Sequence, residues 1–220
     1  MIDKTLGAIV IIAGVFLIAE AAAAPRGKID IPIRIAYVDS RDNIGVPAVE
    51  KLVDVSAALL SRLSGLKFYR EKTFWFSDIY PNDALDVASR AKQLNLYVNG
   101  FRKTIALKDG VLLVVTGPLH ANGIQYMAGI ANGTCRVGSK DAIAIVNVRH
   151  TSAFDVFGWI GSVTSIMHEI GHLMGGFHDD GSCKLMNSSA GFCAKTKGKT
   201  PWFSSLSTAQ IRQCVARELR

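Results

Sequence analysis

The chain has 220 residues, 49% hydrophobic and 20% charged, with a formal net charge of +7. That is enough apolar material for one domain with a sizeable core, and nothing in it is repetitive or compositionally biased. The basic residues are dispersed, apart from Lys195, Lys197 and Lys199 in a loop-like stretch, so the charge suits contact with an acidic matrix or cell surface, and nothing in it suggests nucleic-acid reading.

The first segment does not belong to the fold. Lys4 precedes an apolar run over 6–19, and Ala21-Ala22-Ala23-Ala24-Pro25 follows Glu20. A charged start, a short apolar core and a small-residue exit predict a signal peptide over 1–23, cut between Ala21 and Ala24. The run is shorter than the roughly 17–25 residues of a spanning helix. A secreted, extracellular domain is therefore expected over 24–220. All four cysteines, Cys135, Cys183, Cys193 and Cys214, lie within it, which predicts two disulfides in any of three connectivities and no CxxC metal pair. Asn132 and Asn187 begin acceptor sequons for glycosylation.

Partial alternation of Ile29, Ile31, Ile33, Ile35 and Tyr37 predicts a first strand over 28–37, interrupted by Pro32. A loop over 39–47 leads to a helix over 49–63 with one apolar stripe. A second strand is expected over 66–76 and a short helix over 83–97. Gly110 to Thr116 is the strongest strand signal, apolar on both faces and so central in a sheet. Residues 124–130, bounded by glycine, read as a short edge strand, and 142–148 as a further strand. A long helix over 157–174 ends at Gly175-Gly176. A closing helix over 208–219, capped by Ser207 or Thr208, carries Ile211, Val215 and Leu219 on one face. The order is mixed α and β (α+β), with a regular upper part over about 28–177 and an irregular lower part over about 178–220.

His168-Glu169-Ile170-Gly171-His172 fits HExxH. Residues four apart share one helix face, so both imidazoles can reach one metal ion. Glu169, beside the first of them, is placed to take a proton from a water whose pKa zinc lowers. Gly175 and His178 extend the pattern to HExxHxxGxxH: the glycine lets the chain turn sharply out of the helix, and His178 can return as a third nitrogen ligand. Three imidazoles leave a coordination position open, which is the arrangement of a catalytic zinc and not of a structural one. His120 and His150 have no partner at ligand spacing and are read as non-ligands.

The run from His168 to Asp179 resembles the zinc signature of the metzincin endopeptidases, and Asp179 after the third histidine resembles their adamalysin or reprolysin branch. The resemblance implies a zincin-like fold: a twisted, mostly parallel sheet with an antiparallel edge strand, a long active-site helix and an irregular C-terminal subdomain with a terminal helix. It implies one catalytic Zn2+ on His168, His172 and His178, with Glu169 as general base. Met186 would be the methionine of a turn beneath the metal, and Asp179 an acceptor that orders the turn after His178. Extended polypeptide substrates would pair with the edge strand Ile124, Gln125, Tyr126, Met127, Ala128, Gly129 and Ile130. Cys135 would pair with Cys214, and Cys183 with Cys193. The link from His178 to Met186 is shorter than is usual in the adamalysin branch, and one of its cysteine pairs is absent. No propeptide of the family's usual size is expected between leader and first strand, and no appended domain after 220. The chain is expected to be a monomeric, secreted zinc endopeptidase cutting extracellular proteins. The alternative is an inactive metzincin-like binding protein or toxin that keeps its zinc. No EF-hand spacing is present, and the sequence leaves calcium open.

Overall fold

A computed structural model of the chain describes residues 29–39, 44–77, 99–100, 110–116, 129–139, 141–148, 156–179, 184–187 and 202–218. The expected signal peptide, the 83–97 helix, His120, His150, Cys183 and Cys193 lie outside these residues, as do positions 124–128 of the expected edge strand. Five strands form one sheet: β1 (Asp30–Asp39), β2 (Lys67–Ser77), β3 (Val111–Thr116), β4 (Gly129–Ala131) and β5 (Ile143–Asn147). Their spatial order is β2-β1-β3-β5-β4. All pairings are parallel except β4 against β5, where Gly129 lies opposite Val146. This is the mixed sheet with an antiparallel edge strand expected from the resemblance. β3 is its middle strand and every one of its side chains is buried, as its unbroken apolar run requires.

Pro32 does not end β1. Pairing of β1 with β3 begins one residue later, at Ile33 opposite Val111, and the pairing with β2 skips a residue between Ile33 and Arg34. The missing N–H therefore falls at the edge of the ladder, where it costs least.

Helix α1 (Val46–Ser64) begins three residues before the expected start at 49. Pro47, first read as loop, occupies the first turn, where a helix has no use for its N–H. Gly65 closes α1 in the left-handed region at φ 78°, its N–H donating to the Ser61 carbonyl. Helix α2 (Val156–Leu173) carries HExxH, and helix α3 (Ser205–Glu218) follows the metal-site region. α3 begins three residues earlier than expected. Its cap is Ser204, whose hydroxyl accepts from the Ser207 N–H at 3.1 Å, and not Ser207 or Thr208.

α1 and α2 pack on one face of the sheet. The core there joins Ile33, Ile35, Leu113 and Val115 of the strands to Leu52 and Leu60 of α1 and to Ile166, Ile170 and Leu173 of α2. Each such side chain contributes about 1.5–3 kcal/mol by leaving water. On the other face Ala36, Val38, Leu112, Val114, Ile143 and Ile145 form a second buried cluster. With both faces buried, β5 and α2 are fixed relative to each other, and α2 in turn holds Glu169 against the edge strand β4. No helix among the described residues is long and apolar enough to cross a membrane.

Candidate metal centre

Val163, Ile166, Met167, Ile170 and Leu173 of α2 face the core at helical spacing. His168 and His172 stand beside that stripe, half-buried and one turn apart. The helix then stops abruptly. Gly175 has φ +98°, and a side chain there would lie 2.7 Å from Cys214 Cβ, so only glycine combines this turn with the close approach of α3. The carbonyls left over at the end of α2 are paired. Cys135 N–H and Gly175 N–H donate to His172 O, while Arg136 and Val137 N–H donate to Leu173 O. The loop after β4 thus caps α2, and a disulfide from Cys135 to Cys214 ties that loop to α3.

The turn brings His178 back to the helix. Nε2 atoms of His168, His172 and His178 lie 3.1 Å from one another in all three pairs. Nδ1–H of His168 donates to Leu185 O at 2.6 Å, and Nδ1–H of His172 to Gly176 O at 2.8 Å. A carbonyl can only accept, so in these two rings the proton sits on Nδ1 and Nε2 is a bare lone pair. Burial, ahead of the neighbouring imidazoles, pushes His168 down to about 4 and lowers His172 as well, which keeps both neutral. The bare lone pairs of His168 and His172 converge on His178 Nε2 and repel unless a proton or a cation lies between them. Their spacing is near the roughly 3.3 Å of nitrogens in a tetrahedral shell about 2.0–2.1 Å from zinc. The donor set fits such an ion, and the three histidines are able to hold one.

Glu169 is buried beside them. Its carboxyl, pushed up to about 8 by burial, rests against the backbone of Gly129 in β4. The described end of the expected edge strand therefore runs directly past the expected base.

Beneath the histidines, Met186 is fully buried and fills space opened by two glycines. A methyl group on Gly171 would lie 2.6 Å from its Sδ, and one on Gly176 3.2 Å from it. Asp179 ties three segments together. Its N–H donates to Met186 O at 3.3 Å, its carbonyl accepts from Asn187 Nδ2 at 3.0 Å, and its Oδ2 accepts from Ser207 Oγ at 3.2 Å. The Asn187 amide nitrogen, the atom a glycan would take, is thus engaged in the turn, while half-buried Asn132 follows β4, its backbone N–H donating to Ile143 O.

Sequence reasoning missed the carbonyls of Leu185 and Gly176, which carry no side-chain signature, and Ser207, read only as a cap. Gly171 did leave a signal: a glycine inside a helix costs about 1 kcal/mol against alanine and marks a close approach.

No protein-family model and no curated protein sequence matches the chain. Solved structures do. The archaemetzincin of Methanopyrus kandleri superposes with a TM-score of 0.61 at 21% identity, covering 89% of this chain and 100% of its own. A zinc-dependent peptidase of Methanocorpusculum labreanum gives 0.50 at 19%, covering 81% and 99%. The archaemetzincin of Archaeoglobus fulgidus gives 0.52 at 18%, covering 82% and 99%. At these identities the likeness establishes the fold: this chain has the mixed sheet and helices of a metzincin-like zincin, with a potential three-histidine metal site in it.

Proposed function

We infer that this chain is a secreted zinc-dependent endopeptidase that hydrolyses internal bonds of extended extracellular polypeptides. The observation that carries this reading is the convergence of three Nε2 atoms beside a buried carboxyl that borders an edge strand. A bound zinc supplies Lewis acidity, polarising a carbonyl and making water a stronger acid. A cation on the adjacent histidines also favours the charged form of Glu169, whose carboxylate then accepts a proton from the attacking water. Glu169 returns that proton to the leaving nitrogen, so it ends the cycle as it began. β4 offers an extended partner to substrate backbone, and a peptide pairing there is carried past Glu169.

Secretion is supported by the segment over 1–23 and by the Cys135–Cys214 disulfide, which persists in an oxidising compartment. A monomer drawn to acidic surfaces accords with the dispersed positive charge. The adamalysin branch rests mainly on Asp179, and the solved structures above do not single that branch out.

Hydrolysis of a mixed peptide library by the purified chain tests the reading, with zinc, with a chelator, and in the Glu169→Ala variant. Cleavage lost in both controls while the variant still binds zinc supports it. A folded, zinc-loaded wild type that cleaves nothing overturns it in favour of a metzincin-like binding protein.

A further inference from the structure

Gly129 is one of three residues in β4, and its backbone forms one wall around Glu169. A methyl group at this position would lie 2.6 Å from Glu169 Cγ, 2.9 Å from Glu169 Oε1 and 2.8 Å from the Ile145 carbonyl oxygen. Three separate atoms therefore occupy the space a side chain would need. They belong to two different elements, α2 and β5. Neither has room to retreat: Ile145 lies in a buried strand paired on both sides, and Ile170, next to Glu169, is fully buried.

Nothing in the local backbone demands glycine here. Gly129 is not among the positive-φ residues, and it takes part in regular antiparallel pairing opposite Val146. In such a strand glycine is disfavoured, and its usual meaning is that something else approaches closely. What approaches is the Ile145 carbonyl of β5 and, closest of all, the carboxylate side chain on which the proposed chemistry depends.

We propose that Gly129 is a positioning residue for the catalytic base: by lacking a side chain it lets the edge strand close onto Glu169 and sets the distance between that carboxyl and a peptide paired along β4. This rests on the peptidase reading above. A side chain at 129 must push Glu169 aside or lift β4 from β5, and either change separates the proton acceptor from the substrate backbone. None of the three atoms nearest the added methyl belongs to a histidine, so zinc affinity is expected to change less than turnover. A base misplaced by about 1 Å costs on the order of 100-fold in rate.

The test is Gly129→Ala in the zinc-loaded protein, with kcat, KM and zinc affinity measured separately. The expected result is a fall in kcat of about 100-fold, a smaller change in KM, and zinc affinity within about threefold of wild type. A second measurement needs no activity: thermal unfolding of G129A, E169A and the double variant. Truncating Glu169 removes Cγ and Oε1, so the Tm loss caused by G129A shrinks markedly in the E169A background. A wild-type kcat in G129A, or the same Tm loss with and without Glu169, overturns the proposal. If the wild type cleaves no peptide, the peptidase reading fails, while the unfolding cycle still decides whether Gly129 seats Glu169.

Discussion

The sheet with α1 and the metal end of the molecule are ordered by different physics. Around β1, β3 and α1, order comes from volume: Ile33, Ile35, Leu52, Leu60 and Leu113 are all essentially removed from solvent, and many atoms share the load. Around His168, His172 and His178, order comes from single atoms. Two carbonyls hold two imidazoles, one aspartate links three segments through its backbone and its carboxylate, and glycines make room for a thioether and a glutamate. Apolar burial is tolerant of exchange as long as volume is kept. A constellation of single contacts is not, and it follows that changes in the two regions fail in different ways.

The largest effect is expected from Glu169→Gln. On the proposed reading, replacing the proton acceptor removes at least the roughly 10²–10⁴-fold that general acid–base catalysis contributes, while added zinc still binds. Loss of zinc along with activity would show that the carboxyl braces the metal site as well, and the two roles would have to be separated. Next comes Leu52→Ala in α1, expected to cost about 2–5 kcal/mol of stability in denaturant titration while the folded fraction binds zinc as before. Reduced zinc affinity in that folded fraction would break the division drawn here.

Gly171→Ala sharpens the contrast. In an ordinary helix interior this exchange gains about 1 kcal/mol, yet here the new methyl meets Met186 Sδ at 2.6 Å. The expected outcome is a net loss of about 1–3 kcal/mol by thermal unfolding, together with weaker zinc binding. Ser207→Ala removes the hydroxyl that donates to Asp179 Oδ2 and should weaken zinc binding about tenfold, read by competition with a chelating dye.

The smallest effect is a pH slope in the metal-free protein. Folded Glu169 keeps its proton up to about 8, against an ordinary 4.5 in the unfolded chain, so stability falls as pH rises through that window. His168 and His172 act with the opposite sign below their ordinary 6.5, where the unfolded chain binds protons that the folded one refuses. Between 6.5 and 8 the glutamate slope prevails: it removes about 1.5–2 kcal/mol of stability over that interval, partly offset near 6.5 by the two histidines, and is absent in Glu169→Gln. A flat profile in the wild type would mean that the carboxyl is not desolvated.

This division also explains what was legible in the sequence. The sheet elements and the helices show as hydrophobic periodicity, because each buries a face and the face repeats. HExxHxxGxxH is legible because metal chemistry restricts residue type at fixed spacing. Helix starts were misplaced where a turn residue does helical work: Pro47 reads as a loop former yet sits in the first turn of α1, and Ser204 takes the cap expected at Ser207. Contacts made by backbone atoms, such as Leu185 O on His168, leave no trace in residue identity. Gly129 and Gly171 lay in plain view, but a glycine does not announce which distant atom occupies its missing side chain.

Asp179 waits for a partner 28 residues downstream, and Cys135 for one 79 residues downstream. As the chain is synthesised, His168, His172 and His178 therefore leave the ribosome before the segment that braces them. At that stage the turn after His178 lacks the Ser207 hydroxyl that donates to Asp179 Oδ2, and the capping loop lacks its tie to α3. The complete three-histidine centre therefore exists only after α3 has docked, which makes it one of the last parts of the fold to close.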